Sequence, residues 1–324
     1  MSIEFHTHRL LLPADARGLR LDQALALALP QYSRARLQRW IEEGAVQVAG
    51  RVWERGKERV QGGEEVLVSA QAPEQVPMRP EALPLEVVFQ DESLLVINKP
   101  VGLVVHPGAG NPAHTLQNAL LAHDAGLVRL PRAGIVHRLD KDTSGLLVVA
   151  RTLSAHTALV AALQARAVHR EYLALVLGTP TGGATIAHPI GRHRTQRVRM
   201  AVRNDGRQAI THFRIEERFA HHTLLRVKLE TGRTHQIRVH LSHDGYPVVG
   251  DPVYGGRRRM VAGAGPALKQ ALQQFNRQAL HAAELGFAHP ATGKAQHFKA
   301  PLPEDFQALL EALRANEAAD GQQA

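Results

Sequence analysis

Between residues 136 and 147, titratable side chains crowd into an otherwise apolar neighbourhood, and this limits what the chain can fold into more than any other feature. The stretch reads Val136-His137-Arg138-Leu139-Asp140-Lys141-Asp142-Thr143-Ser144-Gly145-Leu146-Leu147. Ala133-Gly134-Ile135 precedes it, and Val148-Val149-Ala150 completes a run that reads as a buried strand. Asp142-Thr143-Ser144-Gly145 is turn chemistry: Asp and Ser bond their own backbone, and Gly accepts φ above zero. The charged residues therefore lie on a loop held against a strand, as reactive groups on a rigid scaffold do. On spacing alone the stretch reads equally as a surface turn whose Asp and Arg cap and pair.

Composition narrows the function classes. A hydrophobic fraction of 44% in 324 residues supports two domains with real cores. Lys and Arg outnumber Asp and Glu by 39 to 30, an excess that favours a polyanionic partner, nucleic acid before membrane. No run reaches the length of a membrane span. The start lacks the cationic end and apolar core of a signal peptide, so a cytoplasmic protein is expected. Cysteine is absent, which excludes disulfides, thiolate nucleophiles and cysteine-based metal sites. Histidine numbers 19, but His235, His240 and His243 lack the i, i+4 spacing of a zinc helix, so no metal is expected.

Taken in order, residues 1–16 form a lead with one strand at 8–12. Residues 17–29 read as a helix stopped by Pro30, and a second helix capped by Ser33 spans 34–43 and ends at Gly44. Leu37, Trp40 and Ile41 share one face of it; Arg34, Arg36 and Arg39 fall elsewhere. Strands at 45–48 and 64–68 enclose a basic, glycine-rich loop. Residues 76–84 belong to a proline-rich stretch without apolar period, a semi-stiff linker. Beyond it, strands are expected at 85–92 and 94–100 and a helix at 115–122. Ser154 is expected to cap the helix after residue 150, followed by a strand at 170–178 and a hairpin at 211–219 and 222–230. Thr234 is expected to cap a helix over 235–243. A glycine-punctuated loop runs through Asp251-Pro252-Val253-Tyr254-Gly255-Gly256. A strand pair at 284–288 and 296–300 and a helix at 304–313 precede a tail, 316–324, expected to be disordered.

His137-Arg138-Leu139-Asp140-Lys141-Asp142-Thr143-Ser144-Gly145-Leu146-Leu147 resembles the signature of the RluA-type pseudouridine synthases, with Asp140 at the place of their catalytic aspartate. Asn98-Lys99-Pro100-Val101-Gly102, followed by Val105-His106-Pro107, is similar to the same family. Residues 17–75 resemble an S4-type RNA-binding domain. The resemblance implies an α+β catalytic domain over 85–315, with a long mixed, mostly antiparallel sheet and a central cleft. It implies conversion of uridine to pseudouridine in RNA, which breaks a C–N bond and makes a C–C bond with no cofactor. Asp140 would then be the catalytic carboxylate, kept ionised by a fixed cation. By resemblance Arg238 is that cation, with Arg233 as the competing choice. Tyr172 matches the family tyrosine that packs on the target uracil, although its pattern alone reads as a core residue beside Ala174 and Val176. Arg138 can fill the space left by an extruded base or pair with phosphate. His137, Arg233, Arg34, Arg36, Arg39, Arg192, Arg194, Arg197 and Arg199 are the remaining candidate RNA contacts, and Arg257–Arg259 extend that basic surface; each run reads also as a solvated face. The S4-like region and the phrases around Asp251 and Arg277 look closest to the branch that acts on the helix 69 stem-loop of 23S ribosomal RNA. A sister branch modifying other 23S uridines, or a non-catalytic ribosome-assembly factor, are the alternatives. The implied partner is 23S ribosomal RNA or a large-subunit precursor, bound by a monomer away from membranes.

Overall fold

A computed structural model describes residues 5–321 except 30, 31, 33, 72–78, 109, 197 and 256–262. Ser33, Arg197, Arg257–Arg259 and most of the proline-rich stretch lie outside the described residues. The chain divides into two units, Met1–Pro77 and Met78–Ala324.

In the first unit, strands β1 (Phe5–Leu11), β2 (Val46–Val48), β3 (Arg51–Val52) and β4 (Glu65–Gln71) form a sheet in the order β1-β4-β2-β3. Buried Val66 and Val68 alternate with outward residues on β4, the two-residue period of a half-buried strand. Helices α1 (Leu21–Ala28) and α2 (Arg34–Glu42) close the core through Leu21, Leu25, Leu37 and Ile41. The strand expected within residues 1–16 is β1, which pairs with β4 along its whole length. Asp22 is fully buried in this unit. It accepts hydrogen bonds from Arg20 at 3.0 Å, Arg34 at 2.8 Å and Gln38 at 2.6 Å, which a buried carboxylate requires.

The second unit adds β5 (Glu86–Gln90), β6 (Leu94–Lys99), α3 (Leu116–His123), β7 (Ser144–Ala150), α4 (Leu153–Gln164) and β8 (His169–Leu177). Short strands β9 (Ala184–Ile186), β10 (Ile190–Arg192) and β11 (Met200–Val202) come next, then the hairpin β12 (Thr211–Arg218) and β13 (His222–Leu229). Helices α5 (Gln236–His243) and α6 (Pro266–Gln274), strands β14 (Leu280–Ala288) and β15 (Ala295–Lys299), and helix α7 (Glu304–Gly321) finish the chain. Nine strands join in the order β5-β6-β7-β14-β8-β13-β12-β9, with β15 on β14, while β10 and β11 form a separate ribbon. Among the described residues of the large sheet only β7 and β14 pair parallel, so it is mixed and mostly antiparallel as expected.

Strand β7 is buried along its length, which explains its unbroken apolar sequence. Leu147 and Val149 face the larger core with Tyr172 and Leu175; Leu146, Val148 and Ala150 face a second core closed by Ala155 and Leu159 of α4. Gly145 opens β7 at φ +111, and a Cβ there would strike the Ala282 carbonyl, so the β7–β14 junction requires glycine.

Several boundaries differ from the sequence expectation for local reasons. Thr152, not Ser154, caps α4, accepting from the Ala155 N–H at 3.2 Å. Residues 79–84 do not form a free linker: the Arg79 and Asn118 carbonyls bind partners across α3, and Glu81 pairs with His114 at 2.6 Å. The last helix passes Leu313 and continues to Gly321, because Asn316 accepts from the Gly265 N–H and Glu317 from the Ala220 N–H, both at 2.7 Å. Among the described residues no helix is long and apolar enough to cross a membrane.

Candidate active site

Asp140 lies on the loop entering β7, and a buried lysine holds that loop by its main chain. Lys99, at the end of β6, is 1% exposed and donates to the carbonyls of Pro100 at 2.7 Å, Lys141 at 2.9 Å and Leu103 at 3.0 Å. Burial pulls its pKa down to about 7, against the opposing pull of Asp142 and Asp140. Gln278 adds a bond to Thr143 at 3.1 Å, fixing the turn that follows Asp140.

Arg238 reaches Asp140 from α5. The helix begins not with a Thr234 cap but at His235, whose left-handed backbone (φ 56) redirects the chain. Arg238 Nη1 donates to Asp140 Oδ2 at 2.8 Å. Its Nε and Nη2 donate to the two oxygens of Asp251 at 2.7 and 2.9 Å, a bidentate clamp. Asp251 also accepts from the Val253 and Tyr254 N–H groups at 2.8 and 3.0 Å. Burial alone would raise the Asp251 pKa, but the Arg238 bonds and charge with these backbone donors hold it below the usual carboxylate range. Burial alone would lower the Arg238 pKa; Asp251 and Asp140 together hold it above the ordinary arginine value.

A second set of contacts frames the same carboxylate. The Arg238 guanidinium carbon lies 5.1 Å from the Tyr254 ring centroid, and that of Arg199 lies 5.3 Å away, both within cation–π range. Tyr254 Oη accepts from the Met200 N–H at 2.8 Å and shares a hydrogen bond with His235 Nδ1 at 2.8 Å. The other ring nitrogen, Nε2, faces Asp140 Oδ1 at 3.9 Å. Burial keeps the His235 pKa below its ordinary value, against the pull of Asp140.

Asp140, Arg238 and Tyr172 all line one cavity of about 920 Å³, the size of a small-ligand cleft. Tyr172 is buried on β8, and that burial raises its phenol pKa. Arg138 and Arg233 line the same cavity; Arg138 is exposed, while Arg233 Nε is bonded to the Gln208 carbonyl at 3.1 Å. His137 turns a ring nitrogen inward, where it accepts from the Val148 N–H at 3.1 Å. Burial drives its pKa down to about 3, and the residue also lines the cavity. Arg34, Arg36 and Arg39 are all exposed on α2, and Arg34 also donates to Asp22. Arg192 and Arg194 are exposed beside the β10–β11 ribbon, and Arg199 is half-buried against Tyr254. Asp251, Tyr254, His235 and Lys99 are the site residues that sequence reasoning left without a role. The first two stand in the glycine-punctuated loop and Lys99 in the Asn98-Lys99-Pro100 phrase, the signals that could have found them.

Residues 93–243 match the family model described as RNA pseudouridylate synthase, and residues 19–66 match the S4 domain. Ribosomal large subunit pseudouridine synthase D of Escherichia coli K12 is 52% identical over 299 residues, spanning 92% of each chain. The chain belongs to the RNA pseudouridylate synthase family. The pseudouridine synthase D of Pseudomonas aeruginosa PAO1 is 54% identical over 302 residues, covering 93% of this chain and 94% of its own. Among solved structures, human RNA pseudouridylate synthase domain containing 4 superposes with a TM-score of 0.57 at 26% identity, over 71% of this chain and 93% of that one. Human RNA pseudouridylate synthase domain containing 1 gives 0.53 at 26% identity, over 72% and 96%. The protein is thus an RNA pseudouridine synthase with an S4 domain at its N-terminal end.

Proposed function

We propose that this synthase converts uridines of 23S ribosomal RNA, in the helix 69 stem-loop, to pseudouridine, with Asp140 as the catalytic carboxylate. The observation that carries the reading is the Asp140–Arg238–Asp251 chain of ion pairs opening into the cavity beside Tyr172. In the reaction the C1′–N1 bond breaks, the uracil turns, C5 bonds to C1′, and the proton leaving C5 is balanced by one gained at N1. A carboxylate attacking C1′ or C6, or taking a sugar proton, must stay ionised in a site that excludes water. Arg238 supplies the fixed positive charge that favours this form, and Asp251 keeps the guanidinium aimed. Tyr172 offers an aromatic face on which the uracil stacks. The target base must leave its own stack, at a cost of a few kcal/mol, and exposed Arg138 at the cavity lining fills the vacated space. Exposed Arg36, Arg39, Arg192 and Arg194 contact the RNA backbone. The enzyme works as a cytoplasmic monomer on the large-subunit precursor.

The test is to map pseudouridine in ribosomal RNA from cells lacking the protein, then from the same cells supplied with wild-type or Asp140→Asn protein. The reading requires loss at helix 69, restored by wild type alone. Loss at other 23S positions would support the sister-branch specificity instead, and no loss would overturn an rRNA substrate.

A further inference from the structure

Two groups of imidazole and carboxylate donors, neither of them lining the cavity, come close enough to share a metal ion: His169, Glu284 and His297 on the sheet, and His188, His243 and Asp244 at the end of α5. They differ in what already occupies the carboxylate. Glu284 bonds Arg226 at 3.1 Å and Lys299 at 3.2 Å, so two cations compete with any metal there. The ion pair of Asp244 is with His188, one of the other donors, and its 3.9 Å length is too long for a hydrogen bond.

We propose that His188, His243 and Asp244 bind a divalent transition-metal ion, zinc being the ion best matched to two imidazoles and a carboxylate. Three observations support this site. All three residues are exposed, and one ligand atom from each lies within 4.8 Å of the others. Tetrahedral zinc with bonds of about 2.0–2.1 Å holds its ligands about 3.3 Å apart, so these atoms must close in by up to about 1.5 Å, with water as the fourth ligand. The site is also organised in advance. The main chain of His188, between β9 and β10, is tied to α5 because its carbonyl accepts from His240 Nε2 at 2.8 Å. His240 is itself fully buried and bonded to Thr211 at 2.9 Å, so it is not a ligand but the brace that sets His188 against His243. The two outer rings meet edge-to-face with centroids 5.1 Å apart. Finally, His243 and Asp244 end α5, where the negative pole of the helix favours a cation.

A bound ion would link the β9–β10 connection to the helix that carries Arg238. It would act as a brace on that helix and take no part in the chemistry at Asp140. Donors of this kind rank copper above zinc and zinc above manganese.

The test is calorimetric titration of zinc chloride into full-length protein free of any histidine tag, with His188→Ala, Asp244→Asn and His297→Ala as comparisons. Circular dichroism checks that each variant is folded. The proposal requires one saturable site per chain, weakened by about ten-fold or more in both His188→Ala and Asp244→Asn and unchanged in His297→Ala. Zinc should also raise the Tm of wild type but not of His188→Ala. Absence of saturable binding, equal binding by the His188 and Asp244 variants, or loss in His297→Ala would each overturn it. If His188→Ala does not fold, the Asp244→Asn comparison decides alone.

Discussion

Asp251→Asn tests whether the clamp behind Arg238 does what its geometry implies. The substitution keeps the side-chain volume and removes the charge. The Val253 and Tyr254 N–H groups can still donate to the amide oxygen, so the loop keeps its backbone anchor. What disappears is the bond from Nε to Oδ2 at 2.7 Å, where an amide N–H now faces the guanidinium N–H, together with the charge that strengthens the bond from Nη2 to Oδ1 at 2.9 Å. Breaking a buried ion pair from one side costs about 3–5 kcal/mol. Asp140 remains as a partner for Arg238, which places the loss at the lower end, about 3 kcal/mol. For a unit of this size that lowers Tm by about 6–12 °C. The rate should fall separately, because a guanidinium free to move by about 1 Å costs on the order of a hundred-fold in turnover. Urea unfolding gives the first number. Single-turnover pseudouridine formation at saturating enzyme, measured well below the variant's Tm, gives the second. A variant less than about 1 kcal/mol weaker and within about two-fold of the wild-type rate would refute the clamp.

Asp140→Asn should abolish isomerisation while leaving RNA affinity within about two-fold; filter binding beside a tritium-release assay separates the two, and a retained tenth of the rate would remove Asp140 from the chemistry. Deleting residues 1–77 should raise the apparent KM at moderate salt with the saturating single-turnover rate nearly unchanged; the salt slope should flatten by roughly 0.7–0.9 for each phosphate that the deleted unit neutralises in the intact protein. Three histidines with desolvated rings should make the fold acid-sensitive: burial pushes His137 down to about 3, and His222 and His281 to about 4. Each is a base whose folded pKa lies below its unfolded value near 6.5, so the stability it contributes is complete above pH 6.5 and is lost as pH falls toward its folded value. Urea titrations should weaken by about 1.4 kcal/mol per pH unit per histidine between pH 6 and pH 4.5, and His281→Gln should flatten that slope.

The sequence made the long periodic elements legible and the ends of elements less so. The run from Leu146 to Ala150 and the alternation of Leu225, Val227 and Leu229 reveal buried strands without help. Strands as short as β9, β10 and β11 carry too few residues to show a period, and they exist because neighbouring strands supply their partners. Asp140 and Arg238 were found through a motif, and the structure brings them to 2.8 Å across 98 residues of sequence. The loop of Asp251 stands out by its glycines, but its sequence does not show that this carboxylate clamps Arg238. For Arg34 and His137 the side chain's type is visible in sequence, while its partner within the fold is not. One serves buried Asp22 and the other the Val148 amide. His188 shows the same limit in reverse, since its companions come from a segment far along the chain.

The distance between Asp140 and Arg238 along the chain has a consequence for biosynthesis. At ribosomal speeds of about 5–20 residues per second, those 98 residues take roughly 5–20 s to emerge, and Asp251 follows later still. The first unit, with its own core, is already complete by residue 77. With the roles proposed above, a nascent chain gains the S4 unit's hold on RNA well before Asp140 gains Arg238, so a chain cut short in translation would grip a substrate without altering it.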